Sequence, residues 1–472
     1  MPLRFRLPAS LPASGHRVSS AISAPATSVS AKAARLSTRS FLSRPVSLSQ
    51  CRVPTQRQSV RSFASAASTT VTATDSSVKI ASSEATKRAE LPNFWLRDNC
   101  RCSSCVNQDT SQRNFDTFEV PADIRATEVK ADDKGLNVVW SDNHKSQYPW
   151  DFVNFYQNND HRSLEQVDFH YWGSNIADSP PTVSFDAVMD TSSDKGIAQL
   201  TDFVRRYGFA FVEGTPYEDP ADTQRLLERI AFIRVTHYGG FYDFVPDLAM
   251  ADTAYTNLPL PAHTDTTYFT DPAGLQAFHL LSHHGPETTN SGAAPLGGAS
   301  LLVDGFHAAR LLREEHPEDF DVLTRVRLPW HASGNQGITL SPDRRYPVIE
   351  VVDEQDRETT GVTGRIHRVR WNNDDRGIVP FGGADADGID PVRWYDAARK
   401  WQSILKRADV EYWTQLKPGR PLIFDNWRVM HGRSSFVGVR RMCGGYTARD
   451  DFISRWRNTN YPRDQVLKQV VG

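Results

Sequence analysis

Acidic residues are missing from the first 74 positions, a stretch that nevertheless carries ten cations between Arg4 and Arg61. Since the whole chain has a formal charge of −2, taking away these +10 leaves −12 for the remainder. An acid-free, Arg-, Ser- and Ala-rich start without the apolar centre of a secretory signal reads as a mitochondrial transit peptide. Residues 1–74 are therefore expected to be a transit peptide and disordered segment, with Arg61-Ser62-Phe63-Ala64 resembling a matrix-processing site. The alternative is a basic arm for nucleic acid or membrane; the even spread of charge and its abrupt end favour targeting to the mitochondrial matrix.

Long apolar runs are also lacking, and the mean hydropathy is −0.49, which excludes a helical membrane span. Cysteine is scarce, five in 472 residues, too few for a disulfide framework. No internal repeat and no nucleic-acid motif is present, so neither nucleic acid nor membrane is expected as a partner. Cys51 falls in the basic segment and Cys443 reads as a small buried residue.

The other three cysteines lie together in Cys100-Arg101-Cys102-Ser103-Ser104-Cys105. Three thiolates this close suit tetrahedral zinc if a fourth ligand joins them, and His144 is the obvious one. Their spacing is not that of a standard finger, so a group of ordinary reduced thiols stays open. Short alternating segments, Phe115–Val120 and Asn137–Trp140, suggest a small β-rich unit, ended by the breaker cluster Ser179-Pro180-Pro181-Thr182.

Chemistry of another kind is written in His263-Thr264-Asp265-Thr266-Thr267-Tyr268-Phe269. Alternate strand residues face one side, so His263 and Asp265 can reach one metal. The best second histidine is His431, in Asp425-Asn426-Trp427-Arg428-Val429-Met430-His431-Gly432-Arg433. Two histidines and a carboxylate with open positions are the ligand pattern of non-haem iron(II). Arg440 and Arg441 follow closely, and a guanidinium behind the metal would hold an acidic cosubstrate bidentately.

Together the segments HTDTTYF, LLVDGF, RWNN and DNWRVMHGR resemble the 2-oxoglutarate- and iron(II)-dependent dioxygenases, in the branch that contains gamma-butyrobetaine and trimethyllysine dioxygenases. The resemblance runs from about Leu91 to Arg457, and the first and last segments look closest to the trimethyllysine members. It implies an α+β fold, a double-stranded β-helix (jelly-roll) catalytic domain wrapped by helices over 182–472, preceded by a small β-rich zinc domain over 88–175. It implies iron(II) on His263, Asp265 and His431, with 2-oxoglutarate and O2 in the open positions and ascorbate as reductant. By the same resemblance Arg440 and Ser300 bind 2-oxoglutarate, and Cys100, Cys102, Cys105 and His144 hold a structural zinc.

Tyr238, Tyr242, Tyr255 and Tyr446 fall where the family cages a trimethylammonium group, a cation that ring faces suit because it has no N–H to donate. Relatives more often carry Trp where this chain has Tyr242. Asp252 falls near the other end of the substrate, where an anion favours an α-ammonium; one of Asn372 and Asn373 would take the substrate carboxylate. The expected reaction is hydroxylation of Nε-trimethyllysine at C3, with γ-butyrobetaine hydroxylation and a non-catalytic methyl-lysine binder as alternatives. A homodimer is compatible with this reading.

Overall fold

The computed structural model describes residues 69–82, 88–157, 167–246, 256–285, 296–352 and 364–471. The amino-terminal domain is built from two antiparallel three-stranded sheets. One contains β1 (Thr69–Ala73), β2 (Ser77–Ser82) and β3 (Arg88–Pro92); the other contains β4 (Ala126–Ala131), β5 (Gly135–Trp140) and β6 (Lys145–Pro149). Alternation along the strands turns Val78 and Ile80 of one sheet and Leu136, Val138 and Trp140 of the other into a single core, with Leu96 and Tyr148.

Three sequence expectations need correction here. The domain already includes β1 from Thr69, inside the 1–74 segment and ahead of the boundary at 88. β1 and β2 are five and six residues long and half-buried, which is why they read as a featureless Ser/Thr-rich stretch. At its other end the domain stops short of 175. Trp172 and Ile176 pack into the catalytic core, and the Trp172 amide donates to Asp304 at 3.2 Å. Finally, Phe115–Val120 is not a strand. Asp116 accepts from the Phe118 amide at 3.0 Å and caps a single 3-10 turn, Thr117–Glu119.

The catalytic domain contains β7 (Thr182–Ser184), β8 (Phe209–Glu213), β9 (Tyr242–Phe244), β10 (Leu260–His263), β11 (Leu275–His284), β12 (Ser300–Asp304), β13 (Ile349–Val352), β14 (Arg365–Val369), β15 (Tyr412–Thr414), β16 (Leu422–Asp425), β17 (Val429–Arg433) and β18 (Val439–Thr447). A six-stranded sheet, in the order β7-β8-β16-β11-β18-β9, faces a four-stranded one, β10-β17-β12-β15. Phe209, Phe211, Leu422 and Phe424 from the large sheet meet Leu302 and Val429 from the small one between the layers. This is the double-stranded β-helix expected from the sequence.

Period-2 alternation sends Leu301 and Val303 to the opposite face from Leu302. There they are covered by helices Gly305–Glu315, Pro317–Arg325 and Pro391–Leu405. The large sheet is backed by helices Lys195–Tyr207, Ala221–Ile230 and Arg449–Asn460. Gly208, at φ +85°, ends the first of these in the left-handed conformation and turns the chain directly into β8. The helix Ala221–Ile230 ends at Ile230, and Ile233 bridges to Thr447. No helix among the described residues is long and apolar enough to cross a membrane.

Candidate active site and metal centres

Pairing of β10 with β17 sets His263 directly opposite His431. The Nδ1 of His263 lies 2.8 Å from the Pro261 carbonyl, to which it donates, so Nε2 turns inward with its lone pair. Asp265 follows just beyond the strand. Its Oδ1 is 3.2 Å from Nε2 of His263 and 3.7 Å from Nε2 of His431, and the three residues offer ligand atoms all within 4.8 Å of one another.

The loop carrying Asp265 is tightly held. Asn426 accepts from the Asp265 amide at 2.8 Å and donates to its carbonyl at 2.9 Å. Thr266, a β-branched residue, has φ +55°. Such a conformation persists only where surrounding bonds over-determine it. Those bonds come from afar: the Thr264 amide donates to the Trp371 carbonyl at 2.7 Å, and Arg370 donates to the carbonyls of Thr267 and Phe269.

Electrostatics suits a divalent cation. Burial opposes charge on Asp265, but His431, His263 and the Tyr446 hydroxyl outweigh it and hold the carboxyl well below the usual range. Burial, aided by His263, pushes His431 down to about 3, so its imidazole is neutral. His263 is raised: burial works against its charge, but once protonated its Nε2 would donate to the ionised Asp265, and that pairing prevails. An ionised carboxylate oxygen converging with two imidazole nitrogens is a donor set that fits iron(II).

A cavity of about 460 Å³ opens from these ligands. Strand alternation on β18 points Arg440, Met442 and Tyr446 into it, while Arg441 faces away and pairs with Asp243 at 2.9 Å. The two neighbouring arginines are thereby told apart. Arg440 is buried, its Nε has no hydrogen-bond partner and no carboxylate pairs with it among the described residues. Burial, with Arg433 nearby, lowers this guanidinium to about 10. Ser300 also lines the cavity, across from Arg433 in the β12–β17 register.

Of the aromatic residues expected to form a cage, Tyr238, Tyr242 and Tyr446 line the cavity. The Tyr242 and Tyr446 rings are 6.0 Å apart, at 65°. Asp252 and Tyr255 lie outside the described residues. Asn372 lines the cavity, whereas Asn373 is exposed and accepts from Arg376 at 3.5 Å.

Several residues that frame the site went unnoticed in the sequence. Gln276 and Asn426 both hold Asp265. Arg428, fully buried, makes a two-pronged pair with Asp304 at 3.0 and 2.8 Å and donates to the carbonyls of Arg206 and His170. The signal was available: Asn426 and Arg428 lie in DNWR, Asp304 in LLVDGF and Arg370 in RWNN. These segments are struts around the three candidate ligands rather than ligands themselves.

The second centre lies in the small domain. Nε2 of His144 is 3.3, 3.6 and 3.5 Å from the sulfurs of Cys100, Cys102 and Cys105. Tetrahedral zinc, with sulfur at about 2.3 Å and nitrogen at about 2.0 Å, would separate them by about 3.5 Å. The donor set fits the metal. Arg97 closes the cluster, donating to Cys105 Sγ and, through Nε at 2.9 Å, to Asp142, which accepts from the His144 amide.

Comparison with known proteins agrees with both halves. Residues 168–446 match the model of the taurine catabolism dioxygenase TauD, TfdA family, and residues 69–154 match the gamma-butyrobetaine hydroxylase-like amino-terminal domain. A protein named trimethyllysine dioxygenase from Neurospora crassa is 58% identical, covering 82% of this chain and 84% of its own. One of the same name from Meyerozyma guilliermondii is 37% identical, covering 81% and 93%. "Trimethyllysine dioxygenase, mitochondrial" from Gallus gallus is 36% identical, covering 77% and 82%. Fold and donor set define an iron(II)- and 2-oxoglutarate-dependent dioxygenase. Within that class, the chain belongs to the trimethyllysine dioxygenase family.

Proposed function

We propose that this protein hydroxylates Nε-trimethyllysine at C3, the first step of carnitine biosynthesis, consuming 2-oxoglutarate and O2 and releasing succinate and CO2. The observation that carries this reading is the convergence of His263, Asp265 and His431 in a cavity that also presents the buried Arg440, with no carboxylate partner among the described residues, and the rings of Tyr238, Tyr242 and Tyr446. Iron(II), held by those three side chains, supplies the capacity to activate dioxygen together with the 2-oxo acid. The residues supply placement. Arg440 takes the far carboxylate of 2-oxoglutarate in a desolvated setting, where a charge-assisted bond is strong, and Ser300 offers that carboxylate a hydroxyl. Tyr238, Tyr242 and Tyr446 receive the trimethylammonium group, each ring contributing about 0.5–2 kcal/mol. The Tyr446 hydroxyl lies 2.8 Å from Asp265, so the cage wall adjoins the residues that would hold iron.

Asn372 is the residue assigned to the substrate carboxylate, and Asp252 to the α-ammonium. Zinc on Cys100, Cys102, Cys105 and His144 is structural, since four protein ligands leave no position for substrate. Ascorbate serves as reductant, and the protein works in the mitochondrion, which the names of the vertebrate relatives support, with the acid-free, Arg-rich start favouring the matrix. The test is succinate formation with trimethyllysine or γ-butyrobetaine, with and without added iron. Iron-dependent succinate with trimethyllysine in clear excess is expected; equal or faster turnover of γ-butyrobetaine would overturn the substrate, and no iron dependence would overturn the chemistry.

A further inference from the structure

The two carboxylate oxygens of Asp265 have different surroundings. Oδ2 accepts hydrogen bonds from Gln276 Nε2 at 2.7 Å and from the Tyr446 hydroxyl at 2.8 Å. Oδ1 faces the Nε2 atoms of His263 and His431 instead. Gln276 and Tyr446 are cross-strand partners in the β11–β18 register, and both are buried. They come at the same oxygen from adjacent strands of the rigid sheet.

We propose that Gln276 and Tyr446 are positioning residues that restrict Asp265 to donating one oxygen to the metal, and so keep three positions on it open. The proposal rests on the reading of His263, Asp265 and His431 as an iron site. Each carboxylate oxygen has about two lone-pair sites, and two donors on Oδ2 occupy both. Two imidazole nitrogens and one oxygen leave three of six octahedral positions, enough for a chelating 2-oxo acid and dioxygen. With both oxygens on the metal only two would be left, and the 2-oxo acid would fill them.

The Gln276 amide shows that the arrangement is favoured over better local satisfaction. An ionised carboxylate only accepts, so the amide must turn its NH2 to Oδ2. That leaves Gln276 Oε1 buried without a hydrogen-bond partner among the described residues. An unmade bond of this kind is costly for a residue that merely fills a core. Tyr446 in turn has two separable roles: its ring lines the cavity near Tyr242, while its hydroxyl reaches the iron carboxylate.

The separation is testable on the full chain with Tyr446→Phe, which keeps the ring, Gln276→Met, which keeps the bulk, and Tyr446→Leu, which removes both ring and hydroxyl. Anaerobic Fe(II) titration would be followed by addition of 2-oxoglutarate and measurement of the visible absorption of its Fe(II) chelate. Steady-state constants for trimethyllysine would be measured alongside. Tyr446→Phe and Gln276→Met should each lose roughly 10–100-fold in Fe(II) or 2-oxoglutarate affinity or in kcat, with the KM for trimethyllysine little changed. Tyr446→Leu should raise that KM as well. Wild-type Fe(II) and 2-oxoglutarate binding with unaltered kcat in both conservative variants would overturn the proposal. Absence of an Fe(II)-dependent chelate signal in the wild-type chain would instead overturn the iron site on which it rests.

Discussion

The cluster of Cys100, Cys102, Cys105 and His144 and the set of His263, Asp265 and His431 solve opposite problems in one chain. In the first, three ligands share one short loop and the fourth arrives on the neighbouring β5–β6 turn. In the second, the two histidines are separated by most of the catalytic domain and meet only because β10 and β17 pair in a particular register. The small domain has a modest core, so a closed four-ligand site there would stabilise the fold. The catalytic domain has two packed sheets and layers of helices, so its three-ligand site need not support the fold and can be left open for chemistry. Local ligands go with structure, and distant ligands held by a rigid scaffold go with reactivity.

The largest expected effect comes from the iron set. His263→Ala or Asp265→Ala should abolish succinate formation while circular dichroism shows the fold retained; measurable turnover in either would break the contrast. Next comes Cys105→Ser. Loss of a structural zinc can remove on the order of 10 kcal/mol of metal-linked folding energy. Hydrogen exchange should therefore show the core around Val78, Leu136 and Trp140 opening while the catalytic sheets stay protected.

A buried histidine that serves neither metal sharpens the comparison. His279 is fully buried, with Nδ1 2.6 Å from the Thr223 hydroxyl and Nε2 accepting from the Gly419 amide at 3.0 Å. Burial lowers its pKa from 6.5 to about 4. The folded state thus disfavours the proton that the unfolded chain accepts below its own value of about 6.5. The associated stability is complete above pH 6.5 and is lost as pH falls towards 4, by up to about 3 kcal/mol. Denaturant titrations across that range should show a slope that His279→Gln flattens.

Smaller effects belong to the ligands' neighbours. Arg440→Ala should raise the 2-oxoglutarate requirement by about 30-fold, the equivalent of about 2 kcal/mol for a truncated buried charge pair. Tyr242→Leu should raise the KM for trimethyllysine by roughly 2- to 30-fold, from the 0.5–2 kcal/mol of one ring face. Steady-state kinetics with each substrate varied in turn checks both.

Much of this was legible in the sequence because the decisive signals are chemical. An H-x-D triplet, a distant histidine and a following arginine name the iron site once a family resemblance joins them. The start of the small domain was hidden because β1 and β2 are short and half-polar. Residues 167–175 were placed in the small domain because nothing local shows that Trp172 is to meet Asp304. Asn426, Gln276 and Arg428 were missed for a related reason: each acts through a hydrogen bond to a residue far away in sequence, and no spacing rule encodes such a partner. The resemblance chose Arg440 over Arg441; alternation on β18 supplies the physical reason, but only once it is known which face of the strand borders the cavity.

Native mass spectrometry of the full chain loaded with zinc and iron(II), beside His431→Ala and Cys102→Ser, tests the division of labour most directly. The wild-type protein should carry one zinc and one iron, His431→Ala should keep the zinc and lose the iron, and Cys102→Ser should do the reverse. Iron retained by His431→Ala at wild-type occupancy would contradict the account.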